Sequence, residues 1–230
     1  MLARPLLAMI AMLPWSAVSC LAAGLEVGVY LRTDGSAPAP VLEAMQTELD
    51  AALNRAGFRV KWWHGVSSQP IEAEELVVVD LRGTCQVPRT PAHRHSSSVQ
   101  LELAATSVSG TEILPFSSLE CHTVNDLISA SLYRLTADQR EEVYGRALGR
   151  VLAHEFYHIL AKTNKHTAKG VAKKAHSAED LMADRFEFDP VALAQLRQSS
   201  ARRQTGPEGV VETPSEPVVT SITEAASGRQ

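Results

Sequence analysis

The chain has 230 residues, of which 45% are hydrophobic and 21% are charged, and this composition is ordinary for a soluble domain with a sizeable core. It excludes a collagen-like repeat and a wholly disordered chain. The 22 basic and 26 acidic residues give a formal net charge of -4. No global positive field exists to hold DNA, RNA or an anionic membrane, so no nucleic-acid partner is expected.

The N-terminal residues have the pattern of a secretory signal peptide. A short apolar run, Leu6–Leu13, follows Arg4 in the chain, and small residues come after the run. A run of this length cannot cross a bilayer about 30 Å thick as a helix, so no stable membrane insertion is expected after its removal. We predict a signal peptide over residues 1–23 and a secreted or periplasmic mature protein. A lipid anchor at Cys20 is the weaker alternative, because the leucine usual three places earlier is missing.

The first half of the mature chain predicts an α/β sheet. Leu25–Leu31 alternates as a half-buried strand does, and a helix follows over Pro40–Arg55 with Gly57 as its stop signal. Phe58–Trp63 predicts a second strand. The continuous apolar run Leu76–Leu81 is typical of a strand buried on both faces. A strand, a helix and two further strands in this order indicate at least one parallel pair.

The second half of the chain turns from strands to helices. Val99–Thr106 and Thr111–Phe116, separated by Ser-Val-Ser-Gly, predict a hairpin beside the sheet. A helix is predicted over Val124–Leu135. Thr136 can cap a longer amphipathic helix over about Asp138–Ala161.

The predicted elements define one domain and two flanking segments. A last short helix is predicted over Val191–Leu196, and from about Ser199 onward Gly, Pro, Ser, Thr and Glu dominate. We therefore predict a disordered tail over residues 199–230. The expected fold class is α/β (α+β), a single domain over residues 24–198 with a mixed sheet packed on the long helix.

Two cysteines remain once the predicted signal is removed. Cys85 and Cys121 each follow a strand-like run. An even number of cysteines in an oxidising compartment favours one disulfide bond between them. Two buried, unpaired thiols are the alternative.

The long helix ends with the segment His154-Glu155-Phe156-Tyr157-His158. Residues four apart lie on one helical face, so both imidazoles can point at one cation. Glu155 is rotated by about 100° from its neighbour and can meet a water bound to that cation. This is the His-Glu-x-x-His arrangement of zinc peptidases. Two unrelated histidines on a helix surface are the alternative.

A catalytic zinc ion takes three protein ligands and keeps an open fourth position, and this helix supplies two of the ligands. Three residues downstream compete for the third place: His166, His176 and Glu179. His166 is favoured. Glu179 would give the gluzincin arrangement, in which a second helix delivers a glutamate.

The segment from about residue 138 to residue 190 resembles the metzincin-type zinc metallopeptidases. In that family the motif helix ends at a turn, a third histidine follows, and a methionine turn lies beneath the metal. Asp180-Leu181-Met182 is similar to such a turn. The family has a glycine where Ala161 stands here, and its third ligand comes two residues earlier than His166. Asn164, which tolerates a left-handed backbone, is expected to let the chain leave the helix.

The same segment is similar to secreted bacterial proteins in which a Thr-x-x-His step follows the motif helix, here Thr163–His166. These resemblances imply a metzincin-like zinc-peptidase domain that hydrolyses a protein or peptide substrate. His154, His158 and His166 would then hold Zn²⁺, Glu155 would act as general base, and Met182 would lie below the metal. A non-catalytic exported zinc-binding module is the alternative function.

Overall fold

The computed structural model describes residues 24–65, 71–87 and 102–205. The predicted signal peptide, Cys20, the start of the predicted hairpin and the chain beyond residue 205 lie outside the described residues. In the part of the chain that is described, no helix combines the length and the apolar character needed to cross a membrane.

The described strands form a mixed five-stranded sheet in the order β2-β1-β3-β5-β4. The strands are β1 (Leu25–Thr33), β2 (Phe58–His64), β3 (Glu75–Arg82), β4 (Ala104–Ser109) and β5 (Glu112–Glu120). β1 pairs in parallel with β2 and β3, and β3 pairs in parallel with β5. β4 is antiparallel to β5 and forms one edge. The predicted α/β class with a mixed sheet is confirmed.

The helices are α1 (Ala39–Arg55), α2 (Cys121–Leu132), α3 (Ala137–Ala161), α4 (Ala178–Met182) and α5 (Pro190–Thr205). The capping role predicted for Thr136 is confirmed, because Thr136 and Gln139 form a reciprocal capping box at the start of α3. α2 begins and ends three residues before its predicted bounds. α5 continues to Thr205, so it is longer than the predicted Val191–Leu196 and includes residues that were expected in the disordered tail.

The sheet buries alternate residues of its strands. Val77, Val79 and Leu81 of β3 are fully buried, whereas Leu76 is 39% exposed and Val78 is only partly buried. The prediction that this strand is buried on both faces is wrong. Side chains on successive strand residues point to opposite faces, and the hydrophobic core of the described residues lies against one of them.

α1 and α3 pack closely because two glycines of α3 face the backbone of α1. A Cβ atom at Gly145 would lie 2.3 Å from the carbonyl oxygen of Val41, and one at Gly149 would lie 2.5 Å from that of Met45. Any side chain larger than hydrogen would push the helices apart. This contact holds α3 firmly just before the His-Glu-x-x-His segment.

The β4–β5 hairpin is more irregular than its sequence indicated. Its turn lies at Gly110–Thr111, so the segment Ser107–Ser109, expected in the connection, belongs to β4. The pairing register shifts between Thr106 and Val108, where three residues of β5, Leu114–Phe116, stand opposite Ser107, so the irregularity lies in β5 beside the edge strand. A bulge bends its strand and changes the direction of the neighbouring side chains.

Cys85 and Cys121 form a disulfide bond, with their Cα atoms 4.9 Å apart. Cys85 follows β3 and Cys121 is the first residue of α2, directly after β5, so the bond joins the ends of two neighbouring parallel strands. Both sulfur-bearing residues are buried.

Reduction of this disulfide is expected to lower the free energy of unfolding by about 2 to 4 kcal/mol, because the bond closes a long loop in the unfolded chain. Urea unfolding of protein beginning at Gly24, with and without reductant, measures the change. Cys85→Ser in the absence of reductant should reproduce it. Two free thiols in the denatured, unreduced protein would contradict the bond.

Candidate metal centre

The buried second half of α3 carries the candidate site. His154, Glu155 and His158 are 8%, 6% and 8% exposed, which is low for three polar side chains. α3 ends at Ala161, and Lys162 takes the left-handed conformation with φ 50°. Asn164 was expected in that role. Lys162 takes it because its backbone N–H closes the last turn on the carbonyl of His158.

Both helix histidines have their Nδ1 atoms engaged by backbone carbonyls. His154 Nδ1 lies 2.8 Å from Val171 O, and His158 Nδ1 lies 2.7 Å from Thr163 O. A carbonyl only accepts hydrogen bonds, so each Nδ1 carries the proton and each Nε2 keeps its lone pair. The two Nε2 atoms lie 3.1 Å apart. This is the arrangement by which proteins orient imidazoles toward a metal ion.

His166 reaches the same point from the loop that follows α3. Its ring centroid lies 5.2 Å from that of His154 and 4.8 Å from that of His158. One potential ligand atom from each of the three histidines lies within 4.8 Å of the others. In a tetrahedral zinc site with Zn–N distances of about 2.0 to 2.1 Å, ligand nitrogens lie about 3.3 Å apart. The three histidines could therefore hold a metal ion, and they fit zinc in number and ligand type.

Electrostatics favours the neutral form of these histidines. Burial lowers the pKa of His154 and of His158, and their backbone hydrogen bonds act in the opposite direction. Burial also lowers the pKa of His166, and the positive charge of Lys174 lowers it further. Metal ions bind neutral imidazole, so this environment prepares all three side chains as ligands.

The other two candidates for the third ligand lie elsewhere. His176 stands behind His154, with its Nε2 3.4 Å from His154 Nδ1 and 3.1 Å from Val171 O. It therefore faces the side of the His154 ring that is turned away from His158. Glu179 is an exposed residue in the first turn of α4. Among the described residues, neither belongs to the cluster of potential metal ligands.

Glu155 is a buried carboxyl group with a hydrogen-bond donor on the opposite wall of the site. Thr106 Oγ1, on edge strand β4, donates to Glu155 Oε2 at 2.6 Å. Burial raises the pKa of Glu155, the hydrogen bond from Thr106 and the nearby His158 lower it, and the negative charge of Glu102 raises it. A raised carboxyl pKa is a usual property of acid–base groups in enzymes.

The histidines and Glu155 open into a cleft of about 830 Å³ between α3, the β4–β5 hairpin and the loop after α3. Residues 102–106 form one wall, and Asn164 and Lys174 stand on the opposite side with His166. Cavities of this size accept a ligand of several residues or a drug-sized molecule. The cluster is therefore accessible to a substrate.

A buried arginine joins the helices next to the site. Arg150, one helical turn before His154, is 2% exposed and donates to Glu48 Oε1 at 2.7 Å. It also donates to the carbonyls of Leu181 at 2.9 Å and Ala183 at 2.7 Å. α1, α3 and the end of α4 thus meet at one guanidinium group.

Met182 is the last residue of α4 and packs, partly buried, against the core. The segment predicted as a methionine turn is therefore a short helix with its own capping box between Ser177 and Asp180. Its helical start follows from Ser177 followed three residues later by Asp180, a pattern that satisfies the first backbone N–H groups.

The sequence predicted the three histidines that could hold a metal ion, but not the contacts that support them. Thr106 lies 49 residues from Glu155, and Arg150 lies 102 residues from Glu48. No local periodicity links residues so far apart. The one available signal was Arg150 itself, a charged residue on the apolar side of a helix, where a buried partner is required.

No protein-family model matches the chain, and no curated protein matches it. Among solved structures, the chain is similar to archaemetzincin from Methanopyrus kandleri, with 11% sequence identity and a TM-score of 0.48. The likeness covers 80% of this chain and 100% of that chain.

Proposed function

We propose that the protein is a secreted zinc metallopeptidase that hydrolyses internal peptide bonds. The observation that carries this proposal is the convergence of His154, His158 and His166 beside the buried carboxyl group of Glu155, in a cleft open to substrate. Structural zinc sites are closed by four protein ligands and have no need of an adjacent carboxylate. The disulfide bond agrees with an oxidising compartment, and we propose that residues 1–23 direct export.

Each side chain has a distinct role in this proposal. When bound, zinc would lower the pKa of a water molecule and polarise the carbonyl group of the substrate. Glu155 would accept the proton of the attacking water and return it to the leaving amine. Met182, at the end of α4, would pack beneath the metal on the side away from the substrate and help to hold the histidine ligands in place.

The position of β4 indicates how a substrate would bind. β4 is an edge strand, and Glu102–Thr106 line the cleft. An extended peptide can pair with the free backbone groups of such an edge and lie across the site as an added strand. The substrate class that this arrangement favours is an unfolded protein segment or a peptide.

Metal analysis together with a cleavage assay tests the proposal. Purified protein beginning at Gly24 should contain about one zinc ion per chain and cleave casein or a peptide library. Removal of zinc by a chelator should abolish cleavage, and added zinc should restore it. Zinc binding without cleavage of any library member would favour the alternative, a non-catalytic zinc-binding module.

His166→Ala is expected to weaken zinc binding by a factor on the order of 10² or more. Loss of a hydrogen-bond partner behind a ligand costs about 10- to 100-fold in metal affinity, and loss of a ligand itself should exceed that. Competition with a chromogenic chelator measures the affinity. Glu179→Gln, a change in an exposed side chain of α4, is the control. If His166→Ala kept its zinc and Glu179→Gln or His176→Ala lost it, the third ligand would be misassigned.

A further inference from the structure

Thr106, on one wall of the cleft, contacts Glu155, the proposed general base. Thr106 Oγ1 lies 2.6 Å from Glu155 Oε2 and 3.4 Å from the backbone oxygen of the same residue. Among the described residues, the side chain that donates a hydrogen bond to this carboxyl group is that of Thr106. At 2.6 Å the bond has the length of a hydroxyl donating to a charged acceptor, which is one of the stronger classes.

The pairing of β4 with β5 is irregular beside Thr106. Thr106 pairs with Ser117 of β5 and Val108 pairs with Ile113, so the register shifts between these two pairs and the extra residues, Leu114–Phe116, lie on β5 opposite Ser107. Bulges occur beside active sites, where they redirect a side chain. Val108, on the far side of the irregularity, is 53% exposed and also lines the cleft. The irregularity thus lies at the place where the strand meets Glu155.

We propose that Thr106 is a positioning residue for Glu155, an inference that rests on the proposed function. Thr106 engages Oε2 and Glu155 lines the cleft, so Oε1 is the oxygen that would take the proton of the attacking water. A glutamate side chain has three rotatable bonds, and a displacement of about 1 Å at a reacting group can cost about 10²-fold in rate. The hydroxyl holds the carboxylate in one orientation before the substrate arrives.

This role also links substrate binding to the base. Thr106 belongs to the edge strand on which an extended peptide would pair, and its side chain points to Glu155 while its backbone borders the cleft. A peptide aligned on β4 is therefore aligned relative to Glu155 as well. The edge strand would set the distance between the scissile carbonyl group and the proton acceptor.

Thr106→Val tests the inference, because valine keeps the branched shape and removes the donor. With zinc bound, we expect kcat to fall about tenfold while KM stays within about twofold and zinc affinity is unchanged. Thr106→Ser keeps a hydroxyl and should recover most of kcat. Thr111→Val makes the same chemical change at the exposed hairpin turn and should leave kcat unchanged.

A second measurement examines the hydrogen bond without turnover. In metal-free protein, a double-mutant cycle between Thr106→Val and Glu155→Met should give a coupling of about tenfold in the unfolding equilibrium constant. Any of three results would overturn the positioning role: the cycle shows no coupling, Thr106→Val has the kcat of wild type, or Thr106→Ser fails to recover kcat. A wild-type protein that cleaves nothing would instead overturn the proposed function, and with it this inference, whatever the cycle gives.

Discussion

Glu155→Gln is expected to keep zinc, and its kcat should fall by a factor of about 10² to 10⁴. This is the usual contribution of general acid–base catalysis to the rate. The amide has nearly the size of the carboxylate and can still accept the hydrogen bond from Thr106. It cannot hold a proton taken from water. The loss should therefore appear in kcat and in kcat/KM together, with little change in substrate binding.

Two control variants separate proton transfer from support of the metal. Glu179→Gln makes the same chemical change on the exposed side of α4 and should leave kcat unaltered. Met182→Leu should change stability or zinc affinity more than kcat at full zinc occupancy. Cleavage by Glu155→Gln at the wild-type rate and equal zinc content would rule out peptidase chemistry of this kind.

Arg150→Met is expected to lower the free energy of unfolding by about 3 to 5 kcal/mol, the usual cost of removing one partner from a buried ion pair. The arginine side chain is 3% exposed and that of its partner Glu48 is 21% exposed. The variant would leave this carboxylate and the carbonyls of Leu181 and Ala183 without their donor. Urea denaturation monitored by tryptophan fluorescence measures the change.

The double variant Arg150→Met with Glu48→Gln should be more stable than Arg150→Met alone, because it no longer buries an unpaired charge. Lys61→Met, which removes an exposed partner of Glu26, should cost less than about 1 kcal/mol. If Arg150→Met were as stable as Lys61→Met, the guanidinium group would not hold the three helices together.

The parts of the site that could be predicted are those encoded within a few helical turns. The spacing of His154 and His158 follows from the period of one helix, and His166 follows eight residues later along the same chain. The start of α3 was equally local, because Thr136 and Gln139 satisfy each other's backbone groups. For the two helix histidines and for the capping box, the partners are close in sequence and their geometry follows from the backbone period. The position of His166 depends on the loop after α3, and the family resemblance rather than a period indicated it.

The features that sequence analysis missed depend on which elements meet in space. An apolar run such as Leu76–Leu81 fits a strand covered on one face or on both, and only the placement of the helices decides. The residue that takes the left-handed conformation, Lys162 rather than Asn164, is set by the last hydrogen bonds of α3. The donor to Glu155 comes from strand β4, 49 residues away along the chain, and its alignment depends on how β4 pairs with β5.

The Nδ1 atoms of His154 and His158 donate hydrogen bonds to backbone carbonyls rather than to side chains. This limits how substitutions could alter the affinity of the proposed metal site. Most substitutions at positions 163 and 171 leave those acceptors in place, so exchanging side chains there is a poor means of tuning the site. The accessible route is to move the backbone. Gly170 has φ 75°, and a Cβ atom there would lie 2.5 Å from Glu187 O, the acceptor for the N–H of Val171. A side chain at that glycine would displace the carbonyl of Val171 that orients His154. We therefore expect substitutions at position 170 to change the affinity for the proposed zinc ion, although residue 170 is not one of its ligands.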